Sequence, residues 1–155
     1  VAALVISLFE GTISKLVTLA IFLPVVAGQG GIAGTQTLTL VVRSMALDEI
    51  QPGRGFKILI REIALGVIHG IALGVIVGIL SWIWKGNPTL GLVVGLAMTA
   101  NIFVAGLTGA AIPLMLKRLK MDPAVSSAVF VTTITDVLGF ILLLGIASLM
   151  INSLI

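Results

Sequence analysis

From about Ala124 to Ile151 the chain runs almost unbroken through apolar residues, and Asp136 stands near the middle of that run. As a helix rising 1.5 Å per residue, such a stretch spans the roughly 30 Å hydrocarbon core of a bilayer. Leu16–Leu47, Ile63–Trp84 and Asn87–Leu116 repeat the pattern, with charged residues gathered between them. A bilayer offers no water to unpaired backbone groups, so runs of this kind are expected as helices. The expected fold is all-α, a polytopic membrane helix bundle.

Composition agrees. The chain has 155 residues, of which 59% are hydrophobic and 10% charged, and its mean hydropathy is +1.28. A soluble domain of this size needs more polar surface. Nine basic residues against six acidic ones, placed between apolar runs, report membrane topology and give no nucleic-acid surface. Without cysteine there is no disulfide framework, thiolate metal site or thiol nucleophile, and a single histidine, His69, cannot build a zinc site.

Only about nine apolar residues precede Glu10, roughly half of a span. Five spans are therefore expected, the first truncated, within one membrane domain covering residues 1–155. Glu10–Lys15 reads as a polar turn. The next span carries Gly28, Gly30, Gly31 and Gly34 in a cluster that disfavours regular helix, so it is expected as one long or broken helix. Arg43–Arg61, with Pro52, Gly53 and Gly55, reads as a loop. In the third span Gly66, Gly70, Gly74 and Gly78 recur every fourth residue and predict a close-packing face, ended by Trp82, Trp84 and Lys85 at the interface. Asn87-Pro88 opens the fourth span, and Asp122-Pro123 starts the fifth, with Asp122 as N-cap and Pro123 at the first helical position. The loops at 43–61 and 117–123 hold seven of the nine basic residues, which places them in the cytoplasm and the C-terminus outside.

A charge at mid-membrane costs about 2.5 to 3.5 kcal/mol on insertion scales, so Asp136 is expected to face a partner, a watery cavity or an ion. Thr132 and Thr133 lie one turn before it, and Gly139 one turn after. Asn101 and Gln36 add amides near mid-membrane; Asn101 suits either an ion path or an interhelical hydrogen bond. These groups offer oxygen, which suits hard cations. One carboxylate per chain is sparse for Ca²⁺ but suits Mg²⁺, which keeps much of its water. Two copies about a dimer axis would supply two charges.

Three stretches, PVVAGQGGIAGTQTL at Pro24–Leu38, PLMLKRLKMDPA at Pro113–Ala124 and VTTITDVLG at Val131–Gly139, resemble the MgtE-type magnesium channels and their eukaryotic solute-carrier relatives over nearly the whole chain. The resemblance implies a homodimer in the cell membrane whose pore follows the two-fold axis, lined by the second and fifth segments. In it Asp136 matches the family's pore aspartate, and Gly28, Gly31, Gly34, Thr35, Thr132, Thr133 and Gly139 are the pore-lining candidates. Mg²⁺ is then the transported and bound ion, and cytoplasmic Mg²⁺-sensing domains are expected ahead of the first helix. Two positions depart from the family pattern: Ile32 stands where GGNAG has asparagine, and Val129 where a proline is frequent before the VTT run. A cation-coupled Mg²⁺ exchanger and a non-transporting scaffold are the alternatives. An intramembrane enzyme ranks last, because Asp136, Glu62 and His69 have no nucleophile motif beside them.

Overall fold

A computed structural model describes residues 2–48 and 55–154. They form seven helices: α1 Ala2–Leu8, α2 Glu10–Lys15, α3 Leu19–Ala46, α4 Gly55–Lys85, α5 Pro88–Arg118, α6 Pro123–Leu149 and α7 Ile151–Leu154. Four of these, α3 to α6, are long and apolar enough to cross a membrane, and the segment before them forms only the short α1 and α2. The outer face of α4 supports that placement, for Ile68, Ile71, Val75, Ile79 and Ile83 are all exposed in the single chain. In a bilayer that face meets lipid at no cost.

Helix α5 is the centre of the bundle, packed against α3, α4 and α6, while α3 and α6 also pack on each other. One apolar layer at the start of α3 and α5 and the end of α6 contains Leu19, Val26, Val94, Met98 and Leu143. Another at the opposite ends contains Leu38, Ile112, Leu116 and Val131. Between them lie small and polar residues, Gly30, Gly34, Asn101, Thr135 and Gly139, all buried. The polar middle therefore has an apolar layer on either side of it.

Of the two forms open to the glycine-bearing span, the structure shows the long one, for α3 runs continuously through the cluster and includes Pro24. Membrane helices keep their hydrogen bonds even through glycine because no competing water is present, and here the missing side chains serve close packing. Glu10–Lys15 is the helix α2, not a turn. The loop read at 43–61 is shorter, with Arg43 inside α3 and Gly55, Lys57 and Arg61 inside α4; Pro52, Gly53 and Arg54 lie outside the described residues.

The four-residue glycine spacing of α4 packs on α5 as expected. A Cβ on Gly70 would come 2.8 Å from the Thr99 carbonyl oxygen, and one on Gly78 would come 2.8 Å from that of Gly91. Thr99 ties the same seam, its Oγ1 lying 3.0 Å from the Gly70 carbonyl oxygen and 2.9 Å from that of Gly95. Near the end of α4, Lys85 Nζ lies 4.0 Å from the centre of the Trp84 ring, which meets Phe22 edge-on. Gly86, at φ 67°, turns the chain sharply into α5. Asn87 caps α5, its Oδ1 accepting from Leu90 N at 3.1 Å while its Nδ2 donates to the Leu154 carbonyl. Asn87→Ala is expected to lower stability by about 1 kcal/mol, and Asn87→Asp, which keeps the acceptor, by less; thermal unfolding in detergent measures both.

Candidate functional site

Helices α3 and α6 meet along small residues. A Cβ on Gly31 would touch Thr132 Cγ2 and Thr135 Oγ1, each at 3.9 Å, and one on Gly34 would come 2.6 Å from Val131 Cγ1. Further along, a Cβ on Gly139 would lie 3.3 Å from Ala27 Cα. These contacts make the pair antiparallel and set Asp136 across from the region of Gly28. Asp136 is partly buried in the middle of α6, one turn beyond Thr132. Among the described residues, none forms a hydrogen bond or ion pair with its carboxylate.

The remaining candidates divide by face. Gly28, Gln36 and Thr133 are exposed, and Gly31, Thr35 and Thr132 are partly so, which forms a stripe on each helix beside the seam. Gly34 and Gly139 are buried inside the seam, and a Cβ on Gly28 would meet open space. Asn101 is fully buried, and its Nδ2 donates to the Val26 carbonyl of α3 at 2.8 Å. Of the two roles open to it, this geometry is the interhelical hydrogen bond. His69 lies on the exposed face of α4, away from the seam.

The hydroxyls along the stripes point their protons inward. Thr35 Oγ1 donates to the Gly31 carbonyl at 2.9 Å, and Thr39 Oγ1 to that of Thr35 at 2.8 Å. On α6, Thr132 Oγ1 donates to the Ala128 carbonyl at 3.0 Å. With the proton committed to the helix, the lone pairs of each oxygen remain for an outside donor or cation. The stripes thus present oxygen acceptors around one negative charge. Thr35, Gln36, Thr39 and Leu40 border an open hollow of about 430 Å³ on this face. Among the described residues no three His, Cys, Asp or Glu side chains converge.

Sequence reasoning missed Gly109 as a packing position. A Cβ on Gly109 would come 2.5 Å from the Gly34 carbonyl oxygen, and one on Gly30 would collide with the Asn101 amide. The recurrence of small residues at 105, 106, 109 and 110 carried that signal.

Four long apolar helices, two of them meeting along an oxygen-bearing seam whose carboxylate is unpaired among the described residues, mark a multi-pass membrane protein. The MgtE family, described as divalent cation transporter, matches residues 23–146. The magnesium transporter MgtE of Bacillus subtilis is 35% identical over 150 residues, covering 97% of this chain and 33% of that protein. Those of Enterococcus faecalis and Thermus thermophilus are 34% identical over 147 residues and 32% identical over 145. They cover 95% and 94% of this chain, and 32% of each relative. The chain therefore belongs to the MgtE family, a family of transporters and not of enzymes, and spans about a third of the length of the curated relatives it matches.

Proposed function

We propose that this chain is the ion-conducting membrane part of a magnesium transporter, in which Asp136 from each of two copies holds a largely hydrated Mg²⁺ on a shared two-fold axis. The carrying observation is the Asp136 carboxylate, partly buried in mid-membrane and unpaired among the described residues. A charge in that position needs a counterpart, and the threonine oxygens beside it suit a hard cation and its water.

Pairing of two copies has its own support. Polar groups stripe the exposed side of the α3–α6 seam, whereas the outer face of α4 is apolar. A polar stripe is costly against lipid and favourable against its own two-fold image across water. With the basic loops in the cytoplasm, the C-terminus faces outside.

The test is uptake of a panel of divalent cations into vesicles carrying the intact protein, with Mg²⁺ expected to permeate. Ile32 lies exposed on the same face of α3 as Gln36 and Gly28 and adds an apolar patch to the proposed path. Ile32→Asn is expected to raise Mg²⁺ flux or alter its selectivity, because an amide replaces an apolar surface that repels a hydrated ion. Indistinguishable flux and selectivity would remove Ile32 from the path.

A further inference from the structure

Asn101 lies where α3, α5 and α6 meet. The side chain is fully buried, its Nδ2 donates to the Val26 carbonyl, and a Cβ on either Gly30 or Gly139 would drive into the amide. One group from α5 thus seats against both helices of the proposed path. Gly139 follows Asp136 by three residues, about 4.5 Å along the helix axis.

The amide has one possible orientation, since turning it over would set its oxygen against that of Val26. Its Oδ1 consequently points away from Val26 and has no hydrogen-bond partner among the described residues. A buried unpaired acceptor opposes folding, and an apolar side chain of similar size would avoid that cost. Val26 lies within the regular run of α3, so its carbonyl does not depend on Asn101 for a donor. Stability alone gives no reason for an amide here. A hydrogen bond does, however, fix direction as well as distance, whereas apolar packing fixes mainly separation.

We propose that Asn101 is a positioning residue for cation transport. Its amide sets the spacing and rotation of α3 against α6 one turn from Asp136, and so where the carboxylate stands relative to the oxygens of α3. This inference rests on the reading of α3 and α6 as the ion path.

The experiment compares native protein, Asn101→Leu, Asn101→Ala, the double variant Asn101→Ala/Gly139→Ala and Asp136→Ala, each intact and reconstituted in vesicles. Mg²⁺ uptake is measured against Mg²⁺ concentration, the Mg²⁺-to-Ca²⁺ ratio is taken from the same vesicles, and melting temperature is followed in detergent. Asn101→Leu is expected to melt no lower than native, yet to shift the half-saturating Mg²⁺ or the ion ratio by about tenfold, as misplacement of a binding group does. The double variant restores volume without the amide. Positioning predicts that its transport stays at the Asn101→Ala level, whereas simple packing predicts recovery. Should Asn101→Leu fail to fold, that comparison decides alone. Native half-saturation and ion ratio in Asn101→Leu, or recovery in the double variant, would overturn the positioning role. Native flux in Asp136→Ala would instead overturn the ion path, and the inference with it.

Discussion

Asp136→Ala is expected to cut Mg²⁺ uptake at least about twentyfold while leaving a folded protein. Through one bridging water, a carboxylate oxygen reaches Mg²⁺ at about 4.5 Å. At that distance a single and a double charge attract by about 2 kcal/mol even at the dielectric constant of water, and by more in a less polar seam. Losing that attraction costs about twentyfold per carboxylate, and two copies lose it together. The fold should survive, because no described residue depends on the carboxylate for a hydrogen bond or ion pair. Uptake into vesicles, beside size-exclusion profiles of both proteins, checks the two halves of this prediction.

Gly74→Val is expected to have the largest effect on stability. A Cβ on Gly74 would strike Thr99 Oγ1 and come 2.6 Å from the Gly95 carbonyl oxygen. Thr99 can rotate, at the expense of its bonds to Gly70 and Gly95, but a backbone carbonyl cannot withdraw without moving α5. Overpacking of this kind costs about 1 to 3 kcal/mol in a well-packed core, and rigid backbone on the receiving side puts Gly74 at the upper end. Gly145→Ala is the matched control, since a Cβ there meets open space. A fall in melting temperature for Gly74→Val, with none for Gly145→Ala, is the expected outcome; equal melting would mean that α4 and α5 are not in backbone contact.

Much of this architecture was legible because membrane helices state themselves in composition. The long apolar runs, the four-residue glycine spacing of α4 and the Asn87-Pro88 start of α5 all translate directly into structure. The glycine cluster of α3 left a long and a broken helix both open, and the structure takes the long one. Glycine lowers helix propensity in water, but at Gly30 and Gly34 it is the price of seating Asn101 and Val131 inside an intact helix, a tertiary requirement that local propensity does not contain. Glu10–Lys15 misled for a related reason: its polar residues resemble a turn, yet they form a helical turn whose Thr12 is buried. At the candidate site, residue type alone drew attention to Asp136 and the threonines. What it did not contain was the sorting of faces, with Gly34 and Gly139 inside the seam, Thr133 and Gln36 outside it, and Asn101 behind. That sorting depends on the antiparallel register of α3 and α6, set by contacts such as Gly31 with Thr135.

The most direct test of the central claim is initial Mg²⁺ uptake into vesicles carrying the native protein or Asp136→Asn, with a Mg²⁺ gradient and no gradient of Na⁺ or H⁺. Asparagine keeps the shape of the side chain and removes only its charge. Uptake down the Mg²⁺ gradient by the native protein and its loss in Asp136→Asn are expected; equal uptake by the two, or none by the native protein without a second ion gradient, would rule out a carboxylate-lined Mg²⁺ path.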